Sequence, residues 1–448
     1  MLFLIQCDEA KPSCRRCDAR EAPCPGYRDT SIAVFREVTV KHFRIGQRGP
    51  RQSSPSRPPN VNYTQKAVAH YFANFVLSSS HGFTGFLEYL PHLYYKNAHV
   101  NHLVYAVHAV ATANFALYNG FSSSGLVQAR HLYVSALEHL RRALGTNAGP
   151  SSSTVLAAVL LLWKFEIITG HDFMGNQSNP HSDGQVEILR RCLSSAPVKN
   201  DMERSTLAIV RMQGVVESAS ILPNLPSPAT NTVDSGWACL QEILARLPVI
   251  QAEVLSLVPT VATPGEMESC FLELQQIQTT LNGIKMELST KWQSKIFSNP
   301  FPEQQGVVPW VFVYPDIVLA SVALAHQLAL LATLRGIRTL ASYFPAPCSI
   351  DTDLTDQILS TIANICAIIP YLLGNISQHG QQAHNYTPAM GAFIATGALH
   401  MMTQDLALTA GQTGWILAQL YEIGMGKGIR KALALRARII EQLQLESF

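Results

Sequence analysis

Helical hydrophobic spacing runs along most of the chain, broken by short polar loops. In SGLVQARHLYVSALEHLRRALG, residues 124–145, Leu126, Ala129, Tyr133, Ala136, Leu140 and Leu144 recur at steps of three and four. Gln128, Ser135, Glu138, Arg141 and Arg142 take the other side, and Gly145 is placed to end the element. Such spacing draws one apolar stripe along an α-helix. The same pattern predicts helices near 64–78, 98–118, 154–169, 185–194, 201–221, 236–257, 266–296, 316–344, 353–373, 389–421 and 429–445. Between them NAGPSSS, DFMGNQSNPHSDG, PNLPSPATNT, SNPFPEQQG and SQHGQQAHNYTP carry breaker chemistry. The sequence shows no run of alternating strands and no fixed repeat period. The expected fold class is all-α, with a multi-helix body over 63–448.

The first 62 residues break the pattern. Residues 28–62 are rich in Pro, Gly, Ser and Arg and read as a basic linker. Within it IAVFREVTVKHF has strand-like spacing, and QRGPRQSSPSRPPN is expected to be unstructured. No heptad pattern is visible there, so no coiled-coil dimer is predicted from it. Net charge is only +2 over 448 residues, but it is unevenly placed. Residues 1–60 hold 11 Lys/Arg against 6 Asp/Glu, while the rest holds 22 against 25. A basic end on a slightly acidic body suggests that the end faces nucleic acid.

Hydropathy argues against a membrane. MLFLI is too short for a signal segment and lacks a cationic flank. TVLAAVLLLW is stopped by Lys164 and Glu166, and segment 311–332 carries Pro315, Asp316, His326 and Gln327. Neither reaches the roughly 18 apolar residues of a span. A soluble intracellular protein with no membrane partner is expected.

Nine cysteines are present, four of them in the first 24 residues: Cys7, Cys14, Cys17 and Cys24. Cys192, Cys239, Cys270, Cys348 and Cys366 fall in apolar periodic segments and read as small buried residues in a reducing compartment. The four clustered ones have the spacing C-x6-C-x2-C-x6-C. Thiolates suit Zn²⁺, and four complete a tetrahedral structural site. So short a segment cannot build a core, so the metal would fold it. A redox C-x-x-C would need strand–helix context, and a disulfide framework an oxidising compartment; neither is indicated.

CDEAKPSCRRCDAREAPCPGYRD resembles the second half of the fungal zinc binuclear cluster, the six-cysteine DNA-binding domain of fungal transcription factors. Cys7 matches that pattern's third cysteine and Cys14 its fourth, which bridges both metals. Cys17 and Cys24 match the fifth and sixth, Pro12 the loop proline, and Pro25-Gly26-Tyr27 the exit. The resemblance implies zinc, DNA as partner and the nucleus as location, with residues 1–27 as a partial cluster. The family's first two cysteines, and the basic helix whose Lys reads base edges, have no counterpart in this chain. Lys11, Arg15, Arg16 and Arg20 suit phosphate contacts, which position without specifying. Four thiolates would hold at most one Zn²⁺, and DNA affinity would be weak, salt-sensitive and poorly specific. LFLIQ is what a reading frame gives on crossing a polypyrimidine tract into a CAG acceptor. Met1–Gln6 is therefore expected to be translated intron, with the missing half in an upstream exon. The competing expectation is a genuine truncated isoform.

The body resembles the fungal-specific transcription factor regulatory domain. The resemblance rests on VYAVHAVATANFALYNG, LVQARHLYVSALEHLRRAL, SSSTVLAAVLLLWKFEIITG with its Leu162–Phe165–Glu166 pattern, HSDGQVEILRR and EIGMGKGIRKALAL. It implies a regulator, sometimes of a metabolic or secondary-metabolite gene cluster, acting through protein partners or a small-molecule effector. The alternative is a cluster-deficient interaction protein that does not itself bind DNA.

No enzyme is expected. Asp351, Asp353 and Asp356 suggest a metal box, but read as a helix start favoured by the helix dipole. His99, His102 and His108 lack a further ligand nearby, and His171, Asp172, His181 and Asp183 sit in a polar loop. GMGKGI follows a helix rather than a strand and reads as a breaking turn. No HExxH or GxSxG occurs.

Overall fold

The computed structural model describes residues 15–19, 62–81, 83, 85–120, 122–145, 153–170, 206, 211, 215, 235–257, 264–291, 294–343, 349–383, 388–404 and 408–445. The chain divides into two units, Met1–Asn60 and Val61–Phe448. In the first, the helical turn α1 spans Arg15–Asp18. The second is all-α among the described residues, apart from one two-stranded sheet.

Its first half begins with α2 (Tyr63–Phe75), a short α3 (Leu90–Lys96), α4 (Asn101–Tyr118), α5 (Ser123–Gly145) and α6 (Ser153–Thr169). Helix α4 is the hub, packed against α2, α5 and α6. Helix α5 behaves as its stripe requires: Ala129, Ala136 and Leu140 are buried. Leu144, in the last turn, is exposed instead, as are Val127 and Val134. Helix α6 has no polar face. Every residue from Val155 to Ile168 is buried, including Lys164 and Glu166.

The second half contains α7 (Ser235–Leu257), α8 (Pro264–Lys291), β1 (Lys295–Ser298), β2 (Trp310–Val313), α9 (Ile317–Ala341), α10 (Ser349–Leu373), α11 (Ala389–Met402), α12 (Ala410–Gly426) and α13 (Arg430–Leu445). Helix α9 packs against α7, α8, α10 and α11. Helix α11 also contacts α2, while α13 packs on α6 and α12 on α4. One continuous hydrophobic core therefore joins both halves.

Three elements depart from the hydrophobic pattern. The helix predicted over 266–296 ends at Lys291, because Lys295–Ser298 pairs antiparallel with Trp310–Val313. The loop SNPFPEQQG is the turn between those strands. The helix predicted over 389–421 is two helices. Thr409 accepts from the Gln412 backbone at 3.2 Å while the Gln412 side chain accepts from the Thr409 backbone at 2.9 Å. That reciprocal box starts α12 afresh. The seven-residue α3 had no period long enough to be seen.

The apolar run around 311–332 is also framed differently. Asp316 caps α9, accepting from the Leu319 N–H at 2.9 Å, so the helix starts after Pro315 and Asp316, while His326 and Gln327 are buried inside it. Two segments, Ile317–Ala341 in α9 and Asp353–Leu373 in α10, are long and apolar enough to cross a membrane by length and composition. Their apolar windows are 89% and 67% buried within the fold, so core packing accounts for the hydropathy. Polar residues inside α9 find partners in the core. His326 Nε2 lies 2.7 Å from the Leu281 carbonyl.

Candidate functional site

Of the expected metal ligands, Cys17 is described. It lies in α1 and is partly exposed. Arg15 and Arg16 belong to the same helical turn. Cys7, Lys11, Cys14, Arg20 and Cys24 lie outside the described residues, as do His171, Asp172, His181, Asp183 and Cys192. Thiolates at four positions form a donor set that fits one zinc ion.

Within the body, the sharper sequence patterns separate into ordinary contacts. His102 Nε2 lies 3.0 Å from the Thr154 hydroxyl, and His108 Nε2 lies 2.8 Å from the Tyr94 hydroxyl. Burial pulls both imidazoles below their usual range. His99 is exposed. Asp353 accepts from the Gln357 amide at 2.8 Å, within the N-terminal half of α10. Asp356 does line a cleft of about 300 Å³ with Asn282, Gln357 and Ser360, as the only carboxylate in that lining. Among the described residues no three His, Cys, Asp or Glu side chains are grouped to hold a metal. Cys366 is buried, which pushes its thiol up to about 12. Cys239 and Cys270 are only partly buried. Gly428, in GMGKGI, takes φ +67° in the α12–α13 turn.

The chemically unusual centre of the body is one that sequence reading passed over. Lys164 is 0% exposed, in the middle of α6. Its Nζ lies 3.7 Å from the centroid of the Phe393 ring on α11 and 5.9 Å from that of Phe75 on α2. The Met390 sulfur lies 4.0 Å from it. Among the described residues no carboxylate pairs with it. Glu166 is two positions along the helix, a spacing that does not share a face. It accepts instead from the Tyr133 hydroxyl at 2.5 Å.

A cation–π contact contributes about 0.5–2 kcal/mol, whereas removing an ammonium from water costs several. Desolvation therefore wins and brings the Lys164 amine down to about 7. The surrounding rings form one cluster. Phe393 meets Trp163 edge-on at 5.9 Å, and Phe75 stacks on Tyr71 at 4.7 Å. The Trp163 indole N–H and the Tyr71 hydroxyl are both buried without a hydrogen-bond partner among the described residues. Phe393 alone among these rings is partly exposed. The sequence signal was available: a lysine inside an unbroken apolar helix, LLLWKFEII. By spacing alone it marks only a charge that stops a membrane span, since periodicity cannot say that a helix is buried on all sides.

Residues 67–254, from α2 into α7, match the family model of the fungal specific transcription factor domain. Lys164 lies inside that range, while Met390 and Phe393 lie beyond it on the same core. No curated protein and no solved structure matches the chain.

Proposed function

We propose that the chain is a fungal transcription regulator of the nucleus, with a zinc-dependent DNA-contacting segment at 1–27, a basic linker at 28–62 and a regulatory body at 63–448. The match of residues 67–254 to the fungal specific transcription factor domain carries the reading. The cysteine segment and the charge asymmetry support it. Cys7, Cys14, Cys17 and Cys24 would hold one Zn²⁺, which folds the segment. Lys11, Arg15, Arg16 and Arg20 would then lie against DNA phosphates. Contacts of that kind release counterions and give affinity that falls steeply with salt.

The test is zinc content by elemental analysis, with duplex DNA binding across a salt series. One zinc per chain is expected, with binding that weakens as salt rises and is lost in Cys14→Ser. A chain that holds zinc but has no affinity for any duplex at low salt would favour the second reading, an interaction protein that does not contact DNA. The observation behind that reading is that four of the family's six cysteines are present here, without the helix that reads bases.

A further inference from the structure

We propose that Lys164 anchors a binding site for a small organic carboxylate with a flat apolar body, reached by displacing the Phe393 ring. Three observations carry it. First, the ammonium donor of Lys164 is enclosed by Phe393, Phe75 and Met390, none of which offers an anion. Second, its neighbours add unspent donors and no anion: the indole N–H of Trp163, which can only donate, and the hydroxyl of Tyr71, which can donate, are buried in the same ring cluster without a partner among the described residues. Buried polar groups in native proteins are nearly always paired, so a cluster of unspent donors points to an anionic ligand. Third, the ring that covers Nζ at 3.7 Å is the one partly exposed ring of the cluster, Phe393. Its displacement trades a cation–π contact for a charge-assisted hydrogen bond, with Phe75 and Trp163 left to pack the ligand's body.

The chemistry selects the ligand class. A carboxylate supplies the missing counter-charge, and a planar ring matches the aromatic walls. A neutral amide of the same shape has no charge to offer. Because Met390 and Phe393 belong to α11, an occupant would alter the seam between the family-matched region and the C-terminal helices. The proposal needs neither zinc nor DNA, so it stands or falls apart from the function proposed above.

Benzoate and benzamide are the probes, titrated calorimetrically into the full-length chain. Saturable benzoate binding in the millimolar range or tighter is expected, with benzamide at least about tenfold weaker. Lys164→Met should lose benzoate binding by a similar factor while keeping its helical circular dichroism, and Phe393→Ala should keep or strengthen it. If the Met variant aggregates, acetic anhydride labelling of the wild type decides: benzoate, but not benzamide, should slow acetylation of Lys164. Equal binding of the two probes would overturn the proposal. So would benzoate binding that survives Lys164→Met, benzoate that leaves Lys164 acetylation unchanged, or absence of binding in both wild type and Phe393→Ala.

Discussion

Lys164 sets a pH dependence that a single substitution can isolate. In the unfolded chain it ionises as an ordinary lysine, near 10.5, and in the folded chain near 7. Between those values the unfolded chain holds the extra proton, so stability rises as pH climbs above about 7 and stays at its lower level below it. Over the whole window the difference corresponds to about 5 kcal/mol. Lys164→Met fills a similar volume with no charge to bury. In urea melts the variant should exceed the wild type by a few kcal/mol at pH 7, and the gap should narrow as pH approaches 9. A gap independent of pH would show that Lys164 is not buried as an unpaired amine. Comparing the two proteins at each pH removes the background from Cys366 and the buried tyrosines, which are common to both.

At the scale of elements, the C-terminal helices are joined by a second titrating contact. His400 of α11 is lowered to about 4, first by burial and then by Lys431 and Arg438 on α13. An unfolded histidine ionises near 6.5, so the contribution is intact above that value and is lost as pH falls towards 4. The loss amounts to about 3 kcal/mol. His400→Gln should therefore flatten the acid limb of the stability curve between those pH values, and an unchanged limb would contradict the assignment. Two local devices start and separate these helices. Thr409→Ala removes one half of the capping box and should cost about 1 kcal/mol. Gly428→Ala should cost roughly 1–3 kcal/mol, since a side chain at φ +67° is strained and its Cβ would lie 2.9 Å from the Tyr118 nitrogen. Thermal melts check both.

These same elements show what the sequence could and could not convey. The Thr409–Gln412 box was written in plain spacing, but an apolar run that continued past it masked the break. The strands Lys295–Ser298 and Trp310–Val313 are four residues each, too short for alternation to stand out. Helices with one apolar face, such as α5, were legible almost to their ends. The helices buried on all sides were harder, because α6 and α9 look alike whether protein or lipid covers them, and only tertiary packing decides. Lys164 was hidden for the same reason.

The whole molecule joins two units that should be stabilised by different physics. The body, Val61–Phe448, rests on one hydrophobic core shared by α2 through α13, and its described residues group no metal ligands. The cysteine segment belongs to the other unit, and on the function proposed above its fold would come from the metal. Removing zinc should then leave the body unchanged while abolishing whatever affinity the N-terminal unit has for DNA. The measurement is a pair of experiments on one sample treated with a strong zinc chelator. The main thermal transition, followed by helical circular dichroism, should stay within error of the untreated protein, and DNA retention at low salt should disappear and return with added Zn²⁺. A body that melts earlier after chelation would place a structural metal in it. DNA binding that persists without zinc would assign the affinity to the basic linker at 28–62, whose arginines need no folded scaffold to meet phosphates.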